Sequence, residues 1–512
     1  MSGNTDKEII TLSSSAYAGS PGFIQGGMGQ SCFGEMFANT IGKARLYSSL
    51  KGQGRSSSRA KADAGPKLKE RRRAATSYSE FACRAPYPKA IVHIDCDAFF
   101  ASCEQAREPR LKGLPLVTGS ERGIIACASY EAKAFGVKRG VRLSEAKKLC
   151  PGLIILPSDY ETYSIYSERM FDIIKRFTPM VEKFSIDEAF CDITGLRRIY
   201  RTSYPNIARE IKDEIEKELD VKVSVGLSLS NTLAKICSRY EKPDGCTAVP
   251  GYRLHELLGG MELDRVCGFG ASTVELLKKH GVKDILGYIR RPVTFARRLL
   301  GKIGGELWHE LRGDAVYKLC LDDKRSYLSI SKTKTFTPPS GKKEFVKSQL
   351  TKNLESACIK LRRYKLSARA LSIYMRRADF EGVGIEAKLN RHSSATLDFS
   401  DISSTLFELL FRQRCLYRAT GVTLSDIVPE GLDDRTLFDD PIKISRITRL
   451  SKITDEINRK YGKHKIHLAT SNAAIRFKKD HPRNRMAWRK KELLKGETFR
   501  KRLGIPLLRL IK

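Results

Sequence analysis

The pattern of apolar and polar positions changes near residue 88 of the chain. Upstream of it, apolar periodicity is weak, glycine and serine are frequent, and the segment ends in the basic run KLKERRR at 67–73. We expect residues 1–87 to be a disordered basic extension, because such a composition supplies little apolar surface to bury. The basic run could contact nucleic acid or could simply be a solvated charge cluster.

Downstream of residue 88, short apolar runs alternate with segments of helical periodicity. The apolar runs predict strands at 91–95, at two places within 181–195, and at 222–230. Helical spacing predicts helices at 131–140 (closed by glycine), at 161–177, at 207–219 and from 231 onward. This order of elements predicts an α+β domain whose helices cover one face of an antiparallel sheet.

Beyond about residue 251 the chain becomes helical and basic, and from Tyr327 a second, smaller α+β domain is predicted. There the segment SYLSISKTKTF is strand-like, 344–363 has helical spacing, and ALSIYMRRADF and ATLDFS follow. The pattern thins out after about 428, and 476–512 are strongly basic. We therefore expect 429–512 to be a basic tail.

The whole-chain composition is that of a folded protein with a polyanionic partner. Of 512 residues, 41% are hydrophobic and 29% charged, which suits several domains and excludes disorder of the whole chain. The 93 lysines and arginines outnumber 58 acidic residues, so nucleic acid is the first candidate partner and an anionic membrane surface the second. No long apolar run or secretory signal pattern occurs. The 13 cysteines lack a CxxC pair, so we expect reduced thiols in a cytosol and no zinc site.

Three acidic residues stand at predicted strand ends or bends in apolar surroundings: Asp95, Asp187 and Glu188. Buried carboxylates are costly unless they are paired or bind a metal. Mg²⁺ prefers oxygen ligands and leaves positions open for substrate phosphates, and two such ions can support phosphoryl transfer. Asp97 should point to the same side as Asp95 if the strand continues. From spacing alone, the acids could also be strand-end caps or salt-bridged surface groups.

Five segments occur in order along the chain at plausible spacing. They are HIDCDAFFASCE (93–104), ASYEAKAFGVKRG (128–140), FSIDEAFCDITG (184–195), VGLSLSNTLAKICSRYEKPDG (225–245) and CGFG (267–270). Together they resemble the Y family of lesion-bypass DNA polymerases, and the resemblance covers roughly 88–470. The layout is similar to the DinB or DNA polymerase IV branch, while FASCE is also similar to the UmuC branch, so the branch stays open.

The resemblance implies an α+β fold of the multidomain right-hand type. Its palm has an antiparallel sheet, its fingers are small, its thumb is helical and contains a helix–hairpin–helix, and its little finger is α+β. The implied boundaries are 88–102 and 159–250 for the palm, 103–158 for the fingers, 251–322 for the thumb, 327–428 for the little finger and 429–512 for the tail.

The resemblance also implies an active site. Asp95, Asp187 and Glu188 would be catalytic and, with the backbone carbonyl of Cys96, would hold two Mg²⁺ ions that align the primer 3′-hydroxyl with the α-phosphate of a deoxynucleoside triphosphate. Phe100 corresponds to the steric gate, whose ring leaves no room for a ribose 2′-hydroxyl. The positions that correspond to nucleotide contacts are Phe99, Phe100, Tyr130, Lys133, Lys235 and Lys242.

Some of these residues could have a purely structural role, and others differ from the residue that is common in the family. Without the surrounding motif, Phe99 and Phe100 would be core aromatics, and Lys235 could pair with nearby acids instead of a phosphate. Lys133 stands where the polymerase IV branch commonly has arginine, which turns a bidentate phosphate clamp into a point charge. Cys127 stands where threonine or serine is common, which removes one hydroxyl contact to phosphate.

DNA contacts are implied at two places. Gly268 and Gly270 lie in the helix–hairpin–helix segment, where a glycine turn lets backbone N–H groups approach a phosphate regardless of sequence. Cys267 stands there where proline is common. In the little finger, the basic residues suited to phosphate contacts are Lys332, Lys334, Arg362, Arg363, Arg376 and Arg377.

The segment after the little finger contains a candidate clamp-binding peptide. Leu437 and Phe438 match the apolar end of the peptide with which many bacterial relatives dock on the sliding clamp, although Asp434 replaces the leading glutamine. The two apolar residues could instead pack on the protein's own surface.

We therefore expect a template-directed DNA polymerase that acts in translesion synthesis and DNA repair, with low fidelity and no proofreading. Its expected partners are primer–template DNA, deoxynucleoside triphosphates and a sliding clamp, and we expect a monomer in the cytoplasm, at the bacterial cytosol or nucleoid, away from membranes. The main alternative is a catalytically silent, polymerase-like DNA-binding adaptor. A palm-type nucleotidyl cyclase or RNA-making enzyme, and a plain basic nucleic-acid-binding protein, explain the ordered motifs less well.

Overall fold

The structure, a computed structural model, describes residues 86–321, 327–431 and 439–480. They form two compact units: the first unit comprises 86–321, and the second unit comprises the two later ranges. The eleven cysteines within the described ranges are free thiols. No helix in these ranges is both long enough and apolar enough to cross a membrane.

The predicted disordered extension lies outside the described residues except for its last two positions. The Pro86 carbonyl accepts a hydrogen bond from the Gly251 N–H at 2.9 Å. The Tyr87 ring lies edge-on to that of Tyr204, with centroids 5.8 Å apart. Residues 86 and 87, which we expected to belong to the extension, therefore pack against the first unit.

The first unit alternates short strands and helices as far as residue 248 and is helical beyond it. Its strands are β1 (Ile91–Cys96), β2 (Leu116–Thr118), β3 (Cys127–Ala128), β4 (Ile154–Leu156), β5 (Val181–Lys183), β6 (Glu188–Asp192), β7 (Val223–Ser228) and β8 (Cys246–Ala248). Its helices are α1 (Phe99–Arg107), α2 (Tyr130–Ala134), α3 (Leu143–Leu149), α4 (Tyr160–Phe177), α5 (Arg197–Tyr200), α6 (Tyr204–Leu219), α7 (Asn231–Tyr240), α8 (Leu254–Leu258), α9 (Ala271–Lys279), α10 (Ile285–Arg290) and α11 (Val293–Arg312).

β1 lies in the middle of the central sheet, whose strand order is β5-β6-β1-β7-β8. The pairs β5–β6, β6–β1 and β1–β7 are antiparallel, and β7–β8 is parallel. The register sets Asp95 opposite Glu188 on β6 and opposite Ser224 on β7. The four strands predicted for this region are present, so the predicted sheet is confirmed apart from the parallel edge formed by β8.

The major helices of this region begin at residues that cap them. The carboxylate of Asp159 accepts the Thr162 N–H at the start of α4, at 3.4 Å. The hydroxyl of Ser230 accepts the Leu233 N–H at the start of α7, at 3.3 Å. Such caps satisfy backbone donors that have no partner within the helix. The helices predicted at 161–177, at 207–219 and from 231 onward are confirmed as α4, α6 and α7.

The central sheet is covered on both faces, so the expectation that helices cover one face is wrong. Val92 and Ile94 of β1 belong to the apolar cluster with α4 and α6. Alternate residues of a strand point to opposite faces, and Ile91 packs instead with Ala234 of α7. The close approach of α7 requires Gly226 on β7, because a Cβ there would lie 2.2 Å from the Ala234 carbonyl oxygen.

Residues 103–158 contribute a separate small sheet with strand order β3-β2-β4. Its β2–β3 pair is antiparallel and its β2–β4 pair parallel. It has its own apolar cluster, which includes Val117, Ile125, Val137 and Ala146. The helix predicted at 131–140 is shorter in the structure, where only the five residues of α2 are helical.

Residues 251–312 are largely helical, as predicted for this region, and share an apolar cluster with α7. A buried carboxylate strengthens this connection. Glu310 on α11 accepts hydrogen bonds from the backbone N–H groups of Thr232 at 3.0 Å, Val316 at 2.8 Å and Tyr317 at 3.0 Å. Burial raises the pKa of the Glu310 carboxyl. The helical region is therefore attached to the same helix that covers the central sheet.

The second unit is built on a four-stranded antiparallel sheet with order β11-β10-β12-β9. Its elements are β9 (Ser329–Ser340), α12 (Lys343–Arg363), β10 (Leu366–Arg377), β11 (Gly382–Ser393), α13 (Thr396–Leu410), β12 (Tyr417–Pro429), α14 (Pro441–Tyr461) and α15 (Asn472–Asp480). β11 and β12 were not predicted, and ATLDFS begins α13. The α+β character predicted for the region is confirmed.

The expected tail is helical within the described residues. α14 is attached by polar contacts: Arg362 of α12 donates from Nε and Nη2 to the Asp455 carboxylate, at 2.6 and 2.9 Å. Ile442 and Leu450 of α14 are 62% and 54% exposed. Because α14 contacts α12 through this ion pair and leaves these apolar residues exposed, its apolar periodicity does not reveal how it packs. The same pairing occupies Arg362, which was expected to contact DNA.

We predict that Gly226→Ala destabilises the first unit by about 3 kcal/mol or more, because the added methyl group meets backbone atoms of α7 that cannot rotate away. Gly270→Ala is the matched control: its Cβ would meet nothing within 4 Å, so it should cost at most about 1 kcal/mol as a changed helix cap. Urea unfolding followed by circular dichroism measures both. Equal stability of Gly226→Ala and the unaltered protein would contradict the packing described.

Candidate active site

Two acidic side chains meet at one end of the central sheet. Asp95, near the end of β1, is paired in register with Glu188, the first residue of β6. The Cys96 N–H donates a hydrogen bond to the Asp187 carbonyl at 2.9 Å, which fixes the turn before β6 against the end of β1. The apolar parts of both strands are buried in the core, so the acids are carried to the sheet end by the strands' own packing.

Two lysines compensate these carboxylates. Lys242, which follows α7, forms an ion pair with Asp95 and lies 3.4 Å from Asp97. Lys235, on α7, forms an ion pair with Glu188 and is itself buried. Its ammonium group also lies 4.2 Å from the centroid of the Phe184 ring, a favourable cation–π distance. The helix covering the second face of the sheet therefore brings positive charge to the acids.

The protonation of the acids follows from these contacts. Burial raises the pKa of Asp95, and Lys242 only partly offsets it. For Glu188, burial opposes ionisation, but the hydrogen bond with His93 and the Lys235 ammonium hold the pKa well below its usual range. The pKa of Asp95 is therefore raised while that of the neighbouring Glu188 is lowered, because the two carboxylates have different partners.

His93 belongs to the site, although it was not among the predicted site residues. It is fully buried, and its Nε2 lies 3.1 Å from a Glu188 carboxylate oxygen while its Nδ1 lies 2.7 Å from the Ser238 hydroxyl. Burial lowers its pKa, which favours a neutral imidazole. The sequence does contain a signal: a polar residue in an apolar strand, two positions before Asp95 and hence on the same face of the sheet.

The donor set fits a divalent cation. Within the described residues, His93, Asp95 and Glu188 each offer a ligand atom, and these atoms lie within 4.8 Å of one another. Carboxylate oxygens are the ligands that Mg²⁺ prefers. Asp187 is not part of this group, and its side chain accepts a hydrogen bond from Ser185 instead. The Cys96 thiol faces Met170 in the core, so this residue can offer the site only its backbone.

Asp97 lies beyond the end of β1 and has different hydrogen-bond partners from Asp95. β1 ends at Cys96, and the buried Asp97 carboxylate accepts hydrogen bonds from the Ser224 hydroxyl and the Asp244 N–H, both at 2.7 Å. The Tyr130 hydroxyl lies 3.4 Å from its other oxygen. Asp97 therefore holds the segment that carries Lys242 rather than extending the acid group.

The residues of α1 and α2 that were predicted to contact the nucleotide follow β1 and β3 in the chain. Phe99 is buried in the core, and Phe100 is half-buried at its edge. Lys133 lies over the Tyr130 ring at 3.7 Å, and Tyr130 in turn reaches Asp97. Burial raises the pKa of the Cys127 thiol, so this residue stays a neutral group at the position where threonine or serine is common.

The glycine turn of the predicted hairpin precedes a nine-residue helix. Gly268 has φ 107°, a conformation that favours glycine, and Gly270 is the residue before α9. Phe269 between them is buried against Tyr288, with ring centroids 5.1 Å apart. Cys267 is exposed. Leu437 and Phe438 lie outside the described residues.

Comparison with known proteins identifies the family. Residues 94–239 match the model of the impB/mucB/samB family, and 328–437 match that of its C-terminal domain. DNA polymerase IV of Dehalococcoides mccartyi (strain CBDB1) is 31% identical over 380 residues, which cover 73% of this chain and 95% of the relative. The chain belongs to the Y family of DNA polymerases.

Other members agree. DNA polymerase IV of Streptococcus pneumoniae serotype 2 (strain D39) is 30% identical over 343 residues, 66% of this chain and 96% of the relative. A solved Y-family DNA polymerase chimera of Dbh and Dpo4 superposes with a TM-score of 0.58 at 24% identity, over 67% of this chain and all of the other, and shows the fold. The predicted DinB-type, DNA-directed DNA polymerase is thereby confirmed, and nothing favours the silent adaptor.

We predict that His93→Phe lowers incorporation by this polymerase by about 10- to 100-fold, the usual effect of removing a partner that orients a metal-binding carboxylate. The phenyl ring keeps the contact with Phe190, now at 4.5 Å between centroids, but cannot hydrogen-bond Glu188. Incorporation is measured against divalent-cation concentration, with a thermal melt as folding control. An unchanged cation dependence and rate would contradict this role.

Proposed function

We propose that the chain adds deoxynucleotides to a primer 3′ end on a DNA template, using two Mg²⁺ ions held by Asp95, Asp187, Glu188 and the Cys96 carbonyl. The observation that carries the proposal is the pairing in register of Asp95 with Glu188. Each of these carboxylates is also accompanied by a buried or half-buried lysine. Translesion synthesis is the work of the family to which the chain belongs.

When bound, the ions would lower the pKa of the primer hydroxyl and neutralise charge on the transferring phosphoryl group. The chain's own contribution is to hold the acids in place: β1 and β6 fix Asp95 and Glu188, and the hydrogen bond with His93 keeps the Glu188 carboxylate ionised. Asp187 lies beside Glu188 and can join them if its side chain turns away from Ser185. Catalysis is then mainly positioning and charge compensation.

Lys235, Lys242, Tyr130 and Lys133 would bind the triphosphate. Lys242 lies within reach of two carboxylates, so its ammonium group can exchange one of them for a phosphate oxygen. Tyr130 and Lys133 lie one turn apart on α2 and contact each other, and the Tyr130 hydroxyl donates a hydrogen bond to Asp97. These contacts support nucleotide binding between the central sheet and the segment 103–158.

We predict that Asp95→Asn and Glu188→Gln each lower incorporation by at least about a thousandfold, because several kcal/mol of charge stabilisation disappears with the metal site. DNA affinity should stay nearly unchanged, since it depends on phosphate contacts elsewhere. Single-nucleotide primer extension and DNA binding by fluorescence anisotropy measure the two effects. Glu168→Gln, in an exposed ion pair with Lys183, is the matched control. Normal incorporation by either site variant would reject the proposal.

A second prediction concerns Phe100. Replacing it by alanine should lower the preference for deoxynucleotides over ribonucleotides by at least about tenfold, because space opens beside the sugar. The measurement is the ratio of kcat/KM for dCTP and CTP opposite template guanine. Phe380→Ala, which removes an exposed ring of the second unit, should leave the ratio unchanged. If Phe100→Ala also leaves it unchanged, the gate lies elsewhere.

Three further proposals rest on the sequence. We propose that Leu437 and Phe438 dock on a sliding clamp, since extended apolar anchors fill small pockets, and that the polymerase is a monomer. Gly268 and Gly270 would contact a DNA phosphate through backbone N–H groups.

Replacing Leu437 and Phe438 by alanine should abolish stimulation of synthesis by the sliding clamp of the same organism, and synthesis without the clamp should persist.

A further inference from the structure

We propose that Tyr163 and Glu104 are positioning residues that fix the plane of the Phe100 ring and thereby set how strictly the polymerase rejects ribonucleotides. The inference rests on the proposed role of Phe100 as steric gate. It assigns sugar selectivity to a buried hydrogen bond that touches neither nucleotide nor metal.

Tyr163 of α4 contacts two residues of α1 that lie one helical turn apart. Its ring is stacked on that of Phe100, with centroids 4.5 Å apart and an interplanar angle of 13°. Its hydroxyl donates to the Glu104 carboxylate at 2.7 Å. Residues four apart lie on one face of a helix, so a single tyrosine spans that face. A ring held at both its face and its hydroxyl cannot tilt without losing one contact.

The carboxylate that holds Tyr163 is itself secured. Glu104 is fully buried, as is Tyr163. Arg107, one turn further along α1, lies 3.8 Å from the Glu104 carboxylate and 3.3 Å from that of Asp159. Asp159 caps α4, the helix that carries Tyr163. These contacts therefore connect α1 and α4 at two places. A buried carboxylate that loses a hydrogen-bond partner costs free energy of folding, so Glu104 keeps its contacts.

The donor side of the bond is equally well defined. Burial raises the pKa of the Tyr163 hydroxyl, which keeps it protonated and able to donate. Phe100 has a second aromatic neighbour, Tyr160, whose ring stands edge-on at 5.6 Å and 90°. Both contacts have favourable aromatic geometry, and the Tyr163 ring is the one that lies nearly parallel to the plane of Phe100.

A steric gate can reject ribonucleotides only if its ring stays in the position where it clashes with the 2′-hydroxyl. Phe100 is half-buried, whereas the residues behind it are buried. If the Tyr163 ring could tilt, Phe100 could follow and make room for a 2′-hydroxyl. Ribonucleotides would gain more from that movement than deoxynucleotides, because only they are excluded by the clash. A purely structural role for the same bond would instead lower the use of both nucleotides equally.

The test compares kcat/KM for dCTP and CTP opposite template guanine in the full chain carrying Tyr163→Phe, Glu104→Met or Glu104→Gln. Tyr163→Phe keeps the stacked ring and removes the donor. Glu104→Met keeps the side-chain length and removes the acceptor, whereas Glu104→Gln retains an oxygen that can accept from Tyr163. Arg176→Gln is the control: it lies on the same helix, in an exposed ion pair with Glu218.

We expect Tyr163→Phe and Glu104→Met to lower the deoxy-to-ribo ratio by about tenfold, the factor corresponding to one buried hydrogen bond. Glu104→Gln should restore the ratio, and Arg176→Gln should not change it. If Tyr163→Phe leaves the ratio unchanged while Phe100→Ala lowers it, the positioning role is overturned and the gate stands. If Phe100→Ala also has no effect, the gate assignment itself is wrong. Should Glu104→Met fail to fold, Tyr163→Phe alone decides.

Discussion

The cost of burying two carboxylates side by side is the constraint on which the arrangement of the first unit depends. Asp95 and Glu188 face each other because β1 and β6 pair in one register. A shift of that register by one residue would turn one of the acids into the apolar cluster behind the sheet. The carboxylates are tolerated because two lysines and an imidazole surround them. The same balance serves chemistry, since groups that compensate charge in the protein can also compensate charge on a phosphate.

α7 connects the parts of the first unit more than any other helix. One side of it approaches β7 so closely that Gly226 is required, and the same helix carries Lys235 to Glu188 and Ser238 to His93. Its other side shares a core with the helical region through the buried Glu310. Changes in the packing of α7 would therefore reach the site through the helix that carries Lys235.

In the second unit, part of the large positive charge is structural. Arg362 is engaged by Asp455 and by the Ser394 carbonyl, and Arg377 pairs with Glu381. Net charge alone therefore overstates the surface available to phosphates, because an arginine in a bidentate carboxylate pair has few donors left. The helix at 441–461, which the pair of Arg362 with Asp455 joins to α12, lies beyond the 328–437 range that matches the family's C-terminal domain.

By itself, the sequence determined the strands and helices around the acids, the family, and the residue types that carry the chemistry, because apolar periodicity, helix caps and motif order are local properties. It could not determine that His93 joins Glu188, that Asp187 turns to Ser185, or that Tyr163 links Phe100 to Glu104. It also missed the second covered face of the sheet and the helix that holds Arg362. Each of these depends on residues brought together from distant parts of the chain, and only the tertiary packing decides which buried polar groups become partners.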